Sequence, residues 1–75
     1  MKGGVLLFPS LNAEIARQNI KTKDIATALN LTEKSVRNKI IGKYDFTYSE
    51  MKAIRDKFFP QLTIDYLFYE NNLTA

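Results

Sequence analysis

Residues 22–42 read TKDIATALNLTEKSVRNKIIG, two apolar-periodic segments divided at Asn30. Ile25, Ala26 and Leu29 recur at the three- and four-residue spacing of a buried helical stripe, which predicts a helix over 23–29 capped by Thr22. Asp24 in its first turn suits the positive end of the helix dipole. Asn30 is of the type that, after glycine, most readily takes the left-handed conformation that closes a helix and turns the chain. Leu31 then enters the core, and Thr32 caps a further helix over 33–41, with Val36 and Ile40 on one face and Gly42 as its C-terminal cap. Alanine at position 26 leaves room for the two helices to cross closely. Two short helices, a tight turn and a small residue at the crossing follow the logic of a helix-turn-helix.

The flanks extend the helical pattern. Residues 1–9, MKGGVLLFP, carry two glycines and a proline around an apolar tetrad and read as an extended arm. Ser10 is placed to cap a first helix over 11–18, in which Leu11, Ile15 and Ala16 form the apolar stripe and Asn19 ends it. On the other side, Thr47-Tyr48-Ser49-Glu50 has the form of a capping box, and Met51, Ile54 and Phe58 carry a stripe over 48–58. Pro60 stops that helix, Thr63 caps a last short turn through Ile64, Tyr66, Leu67 and Phe68, and residues 70–75 read as a loose tail. No segment alternates with period two. The expected fold is all-α: a compact domain of four to five helices over residues 10–69.

Composition narrows the function classes. With 75 residues the chain holds at most one domain, too small to favour a deep catalytic pocket. It has no cysteine and no histidine, which excludes disulfides, thiolate metal sites and imidazole or thiol catalysis. Its carboxylates show no paired placement suited to acid–base work, so neither an enzyme activity nor a cofactor is expected. No apolar run is long enough to span a bilayer or to form a signal-peptide core, and a cytoplasmic location is expected. The net charge of +3 is concentrated: Lys21 to Lys43 holds six basic residues against Asp24 and Glu33, while residues 44–75 are net negative. A basic middle third favours contact with a polyanion through counterion release.

In Ile25-Ala26, Asn30-Leu31-Thr32, Val36, the run Asn38-Lys39-Ile40-Ile41-Gly42-Lys43, Phe46-Thr47 with Glu50, and the ending from Phe58-Phe59-Pro60 to Asp65-Tyr66-Leu67-Phe68, the chain resembles the phage repressor and Cro type of helix-turn-helix protein. The likeness runs from about Leu11 to Phe68, and small phage or prophage regulators look most similar. It implies a five-helix repressor-like domain that acts as a dimer on a short pseudo-palindromic double-stranded DNA operator, without enzymatic activity. Two positions depart from the pattern. Where the family has a phosphate-gripping glutamine at the start of the second helix, this chain has Thr22. Where the family often has an apolar residue, this chain has Lys39, so either its stem lies along the core or Ile40 takes over the packing. The second reading is preferred here, with the ammonium free for a phosphate.

About 100° of rotation per residue then assigns faces. With Val36 and Ile40 inward, Lys34, Ser35, Asn38 and Ile41 lie opposite, flanked by Glu33 and Arg37. In major-groove docking the N-terminal part of such a helix reaches base edges, which makes Lys34 and Asn38 the leading base readers, for guanine O6 or N7 and adenine N6 and N7, with Ser35 beside them. The plainer reading of the same stripe is a solvated polar face. Glu33 fits cytosine N4 or merely the helix dipole, and Arg37 fits a base, a phosphate or a pair with Glu33. Thr32 is first a cap and second a phosphate contact, while Lys23, Lys39 and Lys43 suit phosphate positioning or ordinary surface.

Eight of the nine aromatic residues lie from Tyr44 onward. Most belong in a core, but a surplus near Phe58 to Tyr69, or near Val5 to Phe8 in the arm, would suit a homodimer interface. The alternative function is a protein-interaction module that uses the same fold, with these aromatics or the arm as its contact surface and Phe68 or Leu7 in the contact.

Overall fold

A computed structural model describes residues 7–71. Five helices follow one another: α1 (Pro9–Arg17), α2 (Thr22–Leu29), α3 (Glu33–Ile40), α4 (Tyr48–Phe58) and the single turn α5 (Ile64–Leu67), and no strand occurs among the described residues. The arrangement is a small all-α domain, as its periodicities require.

Three helices end in the same way. Asn19, Asn30 and Gly42 stand at φ 55°, 58° and 90° just after α1, α2 and α3. In each case two backbone bonds close the end: Ile20 N–H donates to Ile15 O and Asn19 N–H to Ala16 O; Leu31 to Ala26 and Asn30 to Thr27; Lys43 to Asn38 and Gly42 to Lys39. These are Schellman closures, which satisfy carbonyls left open at a helix terminus. Gly42 has a second constraint, since a Cβ there would lie 2.7 Å from the Leu7 side chain. Starts are set by hydroxyls at Thr32, Thr47 and Thr63, which accept from the backbone N–H of Ser35, Glu50 and Tyr66 respectively.

Two starts differ from the sequence expectation. Ser10 caps nothing; α1 begins at Pro9, with Phe8 at the N-cap position and no side-chain cap bond. Proline lacks the N–H that would be orphaned there, and its fixed φ suits the first helical position. Nor does Thr22 cap α2: Lys21 occupies the N-cap, its N–H donating to the Asp24 carboxylate at 3.0 Å, and Thr22 is the first helical residue. Of the arm expected over residues 1–9, Phe8 is core and Pro9 is helix; residues 1–6 lie outside the described segment, as do 72–75 of the tail. At the junction of the two ends, Asn71 N–H donates to Leu7 O at 2.9 Å, so the chain from Glu70 is tied at that point.

Leu11, Ile25, Val36, Ile54, Phe59 and Leu67 are fully buried, and Phe8, Ala26, Phe46 and Phe68 complete the core. Leu29, Leu31 and Ile40 pack against it, partly buried. Ala26 allows α2 and α3 to lie close, while α2 packs on α4 and α5 bridges α1 and α4. Phe8, Phe46 and Phe68 meet as a cluster with ring centroids 5.2 to 5.8 Å apart and tilted or edge-on planes, the geometry that aromatic quadrupoles favour. Phe68 is therefore interior and not a contact surface. Phenylalanine and tyrosine divide cleanly: all four tyrosines are exposed, and Phe58 alone of the phenylalanines is only partly buried. The buried Glu14 carboxylate accepts from the Tyr66 hydroxyl at 2.9 Å, with Arg17 at 3.7 Å, which locks α1 to α5.

Candidate nucleic-acid interface

The turn at Asn30 holds α2 and α3 against each other, and among the described residues the outer side of α3 is uncovered. Lys34 and Ile41 are exposed and Asn38 is half-exposed, while Val36 is fully buried. At about 100° per residue, Lys34, Asn38 and Ile41 fall within a sector of about 60°. The side chains of Lys34 and Asn38 make no hydrogen bond or ion pair to another described residue, so both are free to bind.

Neighbours on the helix are more committed. Ser35 is half-buried, and its Oγ accepts from the Thr32 hydroxyl at 3.0 Å while its N–H donates back to that hydroxyl at 3.1 Å. Ser35 thus belongs to the cap of α3. Of the roles open to Arg37, the one formed is the pair with Glu33, 3.6 Å apart and exposed on both sides. Such a pair is weak and can be exchanged for another partner.

Lys39 requires a correction. Its ammonium is not free for a phosphate: it donates to Asp45 O at 3.0 Å and pairs with Glu50 Oε1 at 3.1 Å, with its side chain only 15% exposed. Ile40 does pack against the core, so both neighbours are engaged. The partner that captures Lys39 is also the capping residue of α4, for Glu50 Oε1 accepts from Thr47 N–H at 3.0 Å. Burial raises the Glu50 pKa, but the Thr47 N–H and the Lys39 ammonium outweigh it and hold the carboxyl below the usual carboxylate range. The result is a tie between the end of α3, the loop that follows and the start of α4.

That loop presents Lys43 and Tyr44. Both of their N–H groups reach back to Asn38 O, at 2.8 and 3.4 Å, which folds the loop alongside α3. The Lys43 ammonium lies 5.9 Å from the Tyr44 ring centroid, and both residues are exposed. Lys21 and Lys23 are exposed at the start of α2. Thr22, half-buried, stands between them, and the amides of Thr22 and Lys23 head the helix without an intrahelical acceptor. Lys21 is not among the residues that the sequence singles out for phosphate contact, because the hydroxyl of Thr22 marks the expected cap one residue later.

Cations elsewhere are mostly paired. Lys52 and Arg55 both hold Asp56, at 2.8 and 2.7 Å, and Arg17 faces Glu14. Among the described residues the lysines without an ion pair are Lys21, Lys23, Lys34, Lys43 and Lys57, four of which lie on or beside α2 and α3.

Beside this surface, the backbones of α1 and α3 do not approach closely, and a groove of about 410 Å³ opens between them. Its apolar lining comes from Ile15, Ile25, Ile40 and Ile41, with Asn12, Thr22, Arg37 and Asn38 also contributing. No group of three His, Cys, Asp or Glu side chains that could hold a metal ion occurs among the described residues, and no helix of theirs is long and apolar enough to cross a membrane. Comparisons of the chain with protein-family models, with curated proteins and with solved structures find no match.

Proposed function

We propose that this chain is a sequence-specific double-stranded DNA-binding transcriptional regulator, in which α2 and α3 act as a helix-turn-helix and α3 enters the major groove. The observation that carries this reading is the placement of the unpaired lysines among the described residues: Lys21 and Lys23 at the start of α2, Lys34 on the outward stripe of α3 and Lys43 on the loop after it, with the side chain of Asn38 uncommitted on that stripe. Lys34 and Asn38 read bases, and Ser35 assists from the cap. Glu33 and Arg37 contribute by exchanging their mutual pair for DNA contacts. Lys21, Lys23 and Lys43, with the leading amides and hydroxyls at Thr22 and Thr32, hold phosphates. Lys39 acts from behind, fixing the loop that carries Lys43.

In this reading the protein works by occupying an operator, needs no cofactor and catalyses nothing, and it acts in the cytoplasm as a homodimer. The C-terminal aromatic segment offers Tyr66 and Tyr69 to such a dimer, its phenylalanines being engaged in the core. Selection from a randomised duplex pool tests the proposal: an enriched site is expected, whereas no enriched site together with no binding at low salt would contradict it.

A second reading, docking of another protein, draws on the apolar groove between α1 and α3. It predicts a complex that tolerates salt, while DNA binding through lysines weakens steeply as salt rises.

A further inference from the structure

Ile41 is the most exposed large hydrophobic residue among those described, at 69%. It keeps helical backbone geometry at the end of α3, φ −84° and ψ −2°, so the helical rotation extends to it. Its position is seven residues beyond Lys34 and three beyond Asn38, on the same outward stripe. An aliphatic side chain left this far in water keeps little of the free energy that burial would give.

The geometry points to Ile41 as a third reader on α3, one that recognises the C5-methyl group of a thymine in the major groove. This rests on the DNA-binding reading and adds a base class to it. A thymine methyl is the apolar feature that a base pair presents in that groove, and an aliphatic side chain is its natural partner. Ile41 also borders the apolar groove that Ile15, Ile25 and Ile40 line, but the charges along its own stripe favour a duplex over a protein. Lys34 lies at one end of the stripe, and Lys43, with Tyr44, lies just beyond the other. A hydrophobic partner that covered the stripe from Ile41 to Lys34 would have to strip water from an ammonium group, whereas a duplex supplies phosphates to it. The contact requires α3 to lie along the major groove, beyond the contact of its N-terminal part: seven residues rise about 10.5 Å along a helix, at most about three steps of 3.4 Å along the duplex axis. The thymine is therefore placed within about three base pairs of the base under Lys34.

The test is a scan in which each thymine of the selected site is replaced in turn by deoxyuridine, which removes the methyl and leaves the hydrogen-bonding pattern intact. Affinities are measured for the wild-type chain and for Ile41→Ala, whose folding is checked by its melting curve. One thymine in the expected window should show a loss of about three- to fivefold with the wild type and none with Ile41→Ala. Equal tolerance of deoxyuridine at every position overturns the inference while leaving DNA binding intact. So does a loss that persists in Ile41→Ala, a selected site without thymine in the window, or a change in the mass of the free protein on substitution, which would assign Ile41 to a contact between copies. Failure to select any site removes the DNA reading itself, and this inference with it.

Discussion

Lys34, Asn38 and Lys43 are all accessible, yet they differ in what they can do to a duplex. Lys34 and Asn38 stand on the helix face and Lys43 on the loop beside it. Alanine at Lys34 or Asn38 should cost about 1–3 kcal/mol on the selected site and relax its specificity. Lys43→Ala should weaken all sequences alike and flatten the salt slope by about 0.9, as the loss of one phosphate contact requires. Titrations on specific and random duplexes at several salt concentrations separate the two. Lys39 supplies the contrast, since its ammonium is held by Glu50 and Asp45 O. Lys39→Met should leave the salt slope nearly unchanged while shifting the melting curve. The pair also has a pH signature. Because the folded Glu50 carboxyl sits below its ordinary range, its stabilisation is fully present above that range and is lost as pH falls through the folded value. Melting curves at falling pH should drop more steeply for the wild type than for Glu50→Gln; parallel curves would contradict the tie.

Helix ends and turns were largely legible in the sequence, because their chemistry is local. Asn30, Gly42, Thr32, Thr47 and Thr63 each act within a few residues of themselves, and each has the expected role. Proline at position 9 and the backbone of Lys21 outcompeted Ser10 and Thr22 for the first two caps, a choice among neighbours that residue type alone does not decide. Other features required the folded chain. Lys39 meets Glu50 across the loop, and Tyr66 finds Glu14 from 52 residues away. The cluster of Phe8, Phe46 and Phe68 likewise joins three distant segments, which is why the aromatic surplus predicted for the surface reduces largely to tyrosines. The turn makes its own prediction. Asn30→Val should destabilise by about 1–2 kcal/mol, since a β-branched residue resists the left-handed conformation, while Asn30→Gly should be close to neutral. Chemical denaturation of the two variants measures the difference.

For the whole molecule, stability and recognition are separable. A chain of this length is held by about 4–11 kcal/mol in total. Ile54→Ala, at a fully buried site, should cost about 2–5 kcal/mol and reduce DNA binding only by unfolding the domain. Asn38→Ala should reduce binding with an unchanged melt, so comparing melting and binding curves for the two distinguishes core from reader. The central claim, that α3 is the element a duplex meets, is tested most directly by amide chemical-shift mapping of the labelled protein with its selected duplex. The largest changes should fall at Lys21 to Lys23 and from Thr32 to Tyr44, with α5 little affected. Changes concentrated on α5 and the Tyr66 to Tyr69 surface, with the amides of α3 unmoved, would contradict it.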